Sequence, residues 1–267
     1  MNNTFDLTRF GMLLVKDFRT MIKQYGVSLL VIVALPILTL MLDVVLHNYH
    51  SEWAPEARLG IMGALLALTV SIAPSKIYHN INRGNAGIYF ATLPASKLEK
   101  YLSMMIICLL VVPVIYLAGA FVVDCLLTAL PWGGYNHWLW QDNTLLQALP
   151  AMSHEAAKMG VHHWNTATII DMLVISYLST ALFFMLTGTF FKTHKWVKSV
   201  LTLIALNFVL SLIELPLIPD ATEFVGRIFA EDITKVDTLS VWGQVIGWIV
   251  NAGLAVWIYF RMKKMKY

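Results

Sequence analysis

Leu102–Leu130 reads LSMMIICLLVVPVIYLAGAFVVDCLLTAL, 29 residues with one charged side chain, Asp124. A helix rises about 1.5 Å per residue and a hydrocarbon core is about 30 Å thick, so about twenty apolar residues cross it once. This block exceeds that need and is expected to tilt or to run past the membrane surface. Five further apolar blocks share the property: Val27–Leu46, Leu59–Tyr78, Thr168–Phe191, Val197–Ile218 and Val241–Phe260. The chain therefore reads as an all-α integral membrane protein of six transmembrane helices. The short 192–198 connection makes the fourth and fifth spans an antiparallel hairpin.

Composition agrees. Of 267 residues, 58% are hydrophobic and 13% charged, more apolar surface than a soluble fold can hide. The net charge of +3 is small, and its distribution carries the information, because basic loops stay on the cytoplasmic side during insertion. Arg9, Lys16, Arg19 and Lys23 precede the first span, and Lys76, Arg83, Lys97 and Lys100 surround the second connection. Lys192, Lys195 and Lys198 lie in the fourth, and Arg261, Lys263, Lys264 and Lys266 follow the last span. Only Arg58, Lys158, Arg227 and Lys235 fall on the other side, so both termini are expected in the cytoplasm. The outer loops carry acids such as Glu52, Asp142 and Glu231, with Trp53, Trp132, Trp138, Trp140 and Trp164 suited to the headgroup layer. Met1–Phe10 lacks a signal-peptide pattern, so the first span is expected to be retained.

Residues 1–26 form an expected amphipathic interface helix ahead of a six-helix domain, 27–267. Its apolar positions are Leu7, Phe10, Leu14, Phe18, Met21 and Tyr25, with Arg9, Lys16, Arg19 and Lys23 on other faces. Such a helix suits an anionic leaflet or a cytoplasmic partner. A cytoplasmic loop at 79–101 and outer loops at 131–166 and 219–240 complete the plan. The longer outer loop is expected to lie on the membrane surface as a short amphipathic cap.

Enzyme signatures are missing. His154-Glu155 is followed by Lys158 where a zinc protease needs its second His. No Gly-x-Ser-x-Gly elbow and no phosphate-cradling Gly-rich loop with Lys-Ser/Thr occurs, so the chain is not expected to be an ATPase or protease. His47, His50, His137, His154, His162 and His163 sit in outer loops without ligand spacing, and no metal site is expected. Cys108 and Cys125 lie too far apart on one helix to pair and read as core residues. Nothing supports nucleic-acid binding.

Polar residues within spans are costly and face a bundle interior, a wet cavity or the interface. Asp43, Asp124, Asp171, Asn207 and Glu214 are the candidates for a translocation pathway, Asp43 and Asp171 reading more simply as headgroup-boundary residues. Glu214 leads them, because Pro216 and Pro219 would break its helix.

The loop at 76–103 reads KIYHNINRGNAGIYFATLPASKLEKYLS. Arg83-Gly84-Asn85 signals a turn, Ile88, Tyr89 and Phe90 form an apolar knob, and Pro94 stops any preceding helix. Ser96 and Glu99 match a capping box, so the third helix is expected to start about a turn before the membrane.

Leu93-Pro94-Ala95-Ser96-Lys97 resembles the segment before the third span in permease subunits of type-2 ATP-binding-cassette exporters. The layout of interface helix, six spans, inward termini and a final outer loop at 215–237 resembles that family along the whole chain. The resemblance implies an exporter permease of the bacterial cytoplasmic (inner) membrane. It works with a separate ATPase dimer that binds ATP and Mg, and with a second permease, identical or homologous. Residues 81–95 would hold a coupling helix, with Tyr89 and Phe90 as plugs, charge from Arg83, Lys97 and Lys100, and no cofactor bound by this chain itself. The alternatives are a belt of interfacial aromatics in that loop, a non-transporting immunity or sensory subunit, or an ion-coupled secondary transporter. The last lacks the expected internal repeat.

Overall fold

The computed structural model describes residues 5–47, 55–79, 81, 92–129, 166–217 and 233–264. Among them are six long helices and no strand: α1 (Leu7–His47), α2 (Pro55–Ile77), α3 (Lys97–Ala129), α4 (Thr166–Phe190), α5 (Lys195–Leu217) and α6 (Ile233–Lys264). They bracket the six apolar blocks within a few residues, except that α1 and α6 run well beyond theirs. In five of the six, all but α5, a described stretch is long and apolar enough to cross a membrane. The outward faces fit that solvent. Val27, Leu30 and Leu38 of α1, Phe208 of α5, and Trp242, Ile249 and Phe260 of α6 are all exposed, a surface that lipid accepts and water does not. Together these features point to a multi-pass helical membrane protein.

No break separates residues 7–26 from the first span. α1 is continuous over 41 residues, about 60 Å, or roughly twice the hydrocarbon thickness. Its bundle-facing stripe is Leu13, Asp17, Met21, Tyr25, Leu29 and Ile32. That stripe shares Met21 and Tyr25 with the face expected from sequence, whereas Leu7 and Phe18 of the expected face are exposed. The difference arises because an acid, Asp17, occupies the inner face, where neighbouring helices supply its partners.

α3 is not a uniform helix. Residues Ile107–Val111 widen into a π turn just before Pro113. Proline has no N–H to offer the carbonyl four residues back, which here belongs to Leu109. The Tyr177 hydroxyl of α4 donates to that carbonyl at 2.5 Å. Other tyrosines join helices in the same way: Tyr25 of α1 to Thr69 O at 2.9 Å, Tyr116 of α3 to Met62 O at 3.0 Å, and Tyr101 of α3 to Ala255 O at 3.0 Å. Interhelical bonds of this kind average about 0.6 kcal/mol each in helical membrane proteins, so the four contribute roughly 2 kcal/mol and fix helix register. Around them Ile32, Ala73, Ile77, Ile107, Cys108, Met185 and Ile258 form one buried core.

α4 and α6 make the closest pairing. The Asn251 amide donates to Ile175 O at 3.2 Å and accepts from the Ser179 hydroxyl at 2.9 Å. One turn away Gly247 permits the approach, since a Cβ there would stand 2.7 Å from Ile175 Cγ2. Small residues and polar bridges take the place of the hydrophobic effect where lipid surrounds the helices. Gly247→Ala should therefore destabilise the protein by about 1–3 kcal/mol, the usual cost of overpacking. Thermal unfolding in detergent checks this, and adding Ile175→Ala, which removes the obstructing methyl, should restore most of the loss.

Candidate functional site

The start of α1, the end of α2, the start of α3, the α4–α5 turn and the end of α6 meet at one end of the bundle. Arg9, Lys16, Lys76, Lys97, Lys100, Lys195 and Arg261 gather there, as the charge pattern implies. Two buried carboxylates organise this basic end.

Glu99 is the first. The capping box expected from sequence forms: Ser96 Oγ accepts from the Glu99 N–H at 3.2 Å, and Glu99 Oε2 accepts from the Ser96 N–H at 2.8 Å. Glu99 reaches further than a cap requires. Its Oε1 accepts from the Asp6 N–H at 2.9 Å and lies 3.5 Å from Arg9 Nη2, so one side chain joins α3 to the beginning of α1. Asp6 in turn caps α1, its Oδ1 accepting from the Thr8 N–H at 2.8 Å. Burial favours the protonated form of Glu99. The Asp6 and Ser96 amides, the Arg9 charge and the Ser96 hydroxyl outweigh it and hold the carboxyl below the usual carboxylate range.

Asp17 is the second, only 3% exposed. Its Oδ2 accepts from Ser103 of α3 at 2.7 Å and from the Tyr78 hydroxyl at 3.4 Å, and its Oδ1 is 3.1 Å from Lys16 Nζ. Three chain segments thus converge on one buried charge, whose removal from water is offset only because each contact is made. Two further ties close the base. Lys195 Nζ donates to Tyr78 O at 3.1 Å, and Lys97 Nζ donates to Lys263 O at 2.9 Å. Both flanks of the 79–101 loop are therefore fastened, one to α1 and α5, the other to α1 and α6.

Of the residues read from sequence as contacts for a partner, Leu93, Pro94, Ser96, Lys97 and Glu99 are on this base. Pro94 and Lys97 are exposed, whereas Ser96 and Glu99 are buried. Arg83, Asn85, Ile88, Tyr89 and Phe90 lie outside the described residues. On α1, Arg19 and Lys23 are exposed, and Arg9 and Lys16 turn toward Glu99 and Asp17.

The intramembrane polar candidates meet different neighbours. Asp124 of α3 is buried in an ion pair with Arg58 of α2. Asp171 of α4 accepts from the Trp248 indole of α6 at 3.2 Å. Asn207 is exposed and donates to Leu203 O of its own helix. Asp43 and Glu214 lie on α1 and α5 with side chains outside the described set.

Sequence reading missed Asp17 and Tyr78 and counted Arg58 as an outer-loop charge. A signal existed for each. Asp17 falls at helical spacing between Leu13 and Met21, and Arg58 is a single cation at the edge of an apolar block, facing a span with a single acid.

Comparison with protein-family models, curated proteins and solved structures finds no match to this chain. The reading of function therefore rests on the residues.

The buried pair gives a direct test of packing. Asp124→Leu alone takes the carboxylate from the buried Arg58 and should cost about 3–5 kcal/mol, whereas Arg58→Leu with Asp124→Leu should recover most of it. Reversible unfolding in mixed micelles, run as a double-mutant cycle, reads the coupling.

Proposed function

We propose that the chain is the permease subunit of an ATP-binding-cassette exporter, with six spans and both termini in the cytoplasm. Two such units, or one and a homologue, pair in the bacterial inner membrane. A separate ATPase dimer docks beneath them and supplies ATP hydrolysis. In this reading the basic end is cytoplasmic, and residues 81–95 carry the coupling element with Tyr89 and Phe90 as its plugs.

The observation that carries the reading is the way both flanks of the 79–101 loop are fastened. A loop that only connects two spans needs no such fixing. A lever that converts closure of an external engine into helix movement does, because slack at its base would absorb the displacement. Glu99 ties the lever's return strand to α1, Lys97 ties it to α6, and Lys195 ties its departure from α2 to α5. Motion imposed at the loop would reach three further helices, α1, α5 and α6, through charge-assisted hydrogen bonds. The resemblance of Leu93–Lys97 to the exporter segment adds the identity of the engine. In the sequence the apolar knob lies between Arg83 and the exposed Lys97, which suits a contact dominated by aromatic anchors.

Purification in mild detergent should recover an ATPase subunit in near-equal amount with the wild-type chain. Tyr89→Ala with Phe90→Ala should lower that recovery by about tenfold or more, as loss of two anchors implies, while membrane insertion stays intact. Equal recovery with wild type and variant, or no ATPase in either, would overturn the reading.

A further inference from the structure

At the basic end a cavity of about 420 Å³ opens between the end of α2 and the turn joining α4 to α5. Among the described residues its lining carries three lysines, Lys76, Lys192 and Lys195, two imidazoles, His79 and His194, and no carboxylate. Like charges brought together without an acid repel one another and call for an anion.

The backbone points the same way. α5 begins at this cavity, and its first intrahelical bond there runs from the Lys198 N–H to His194 O at 3.0 Å. The Trp196 and Val197 amides precede that bond, so they belong to the helix turn that favours anions. Just before it, His194 adopts φ 48°, a left-handed conformation uncommon outside glycine. The end of α2 brings the opposite pole of a helix, which the buried Lys195 ammonium answers by donating to Tyr78 O. Lys76 and Lys192 are exposed beside the cavity.

Ser75 lines the same cavity, is 8% exposed, and its Oγ has no hydrogen-bond partner among the described residues. A buried hydroxyl without a partner is unfavourable by about 1–3 kcal/mol, and an acceptor oxygen in the cavity would relieve it. The remaining wall is apolar and aromatic, including Ile72 and Trp196, whose indole is held by Ser71 Oγ at 3.2 Å. Basic groups over an apolar wall at the edge of a spanning helix match a phosphate ester that carries a hydrocarbon tail.

We propose that this cavity is a phosphate-binding site, formed by Ser75, Lys76, Lys192 and the first turn of α5, that takes the phosphate of an anionic lipid headgroup. The assignment is independent of the transport reading and stands or falls by itself.

The test uses the full chain, delipidated in detergent and titrated with phosphatidylglycerol, with phosphatidylcholine, or with inorganic phosphate, while thermal stability is followed. Phosphatidylglycerol should raise the Tm of the wild type saturably, and phosphatidylcholine should not. Lys76→Gln with Lys192→Gln should weaken the response about tenfold, the equivalent of one charge-assisted hydrogen bond. Lys263→Gln with Lys264→Gln, which removes the same charge from the same end, should leave it unchanged. Ser75→Ala should match or exceed the wild type without lipid and gain less from it. A saturable rise with inorganic phosphate alone, lost in Lys76→Gln with Lys192→Gln, would keep the phosphate site and assign it to a free solute, overturning the lipid. An equal response of wild type and Lys76→Gln/Lys192→Gln, an equal loss in the Lys263/Lys264 control, or no response to either phosphate source would overturn the site.

Discussion

A helix bundle surrounded by lipid has no water inside the hydrocarbon layer to complete its hydrogen bonds, so each polar group drawn into the bundle must find its partner in the protein. Much of the architecture follows from this requirement. Pro113 leaves the Leu109 carbonyl without its helical donor, and Tyr177 takes that place. Arg58 and Asp124 neutralise each other. Tyr25 and Tyr116 place their rings in the core and Tyr101 packs against it, and all three donate their hydroxyls to neighbouring backbones. These bonds fix which helix meets which, a choice that apolar contact alone leaves open where lipid tails are as oily as leucine.

The basic end obeys the same rule under different conditions. Buried charges there sit among many donors, so Glu99 and Asp17 remain hydrogen-bonded although shielded from solvent. Glu99 is at once the cap of α3 and the anchor of α1, and Asp17 joins α1 to α2 and α3. A rigid platform results beneath the spans. The described outward faces of α5 and α6 are apolar by contrast, with Phe208, Trp242 and Ile249 exposed.

How much of this was legible in the sequence follows from the length scale of each cause. Helix positions came from runs of about twenty apolar residues and depend only on nearest neighbours in the chain, so the six helices fall close to the six blocks. The Ser96–Glu99 cap was equally local and was found. Polar pairing was not, because Arg58–Asp124 and Asp17–Ser103 join residues 66 and 86 positions apart, and composition gives no distance between segments. The inner face of α1 was misjudged for a related reason. An acid on a packing face is visible as such only when the helices that satisfy it are in place.

The proposed function requires that the loop between α2 and α3 face the cytosol from a fixed base. It is tested most directly by a single cysteine at Ala91, introduced with Cys108→Ala and Cys125→Ala and exposed to a membrane-impermeant maleimide in oriented vesicles. Inverted vesicles should label at once and right-side-out vesicles only after permeabilisation. Labelling of intact right-side-out vesicles, or protection in both orientations after peripheral proteins have been stripped away, would contradict it.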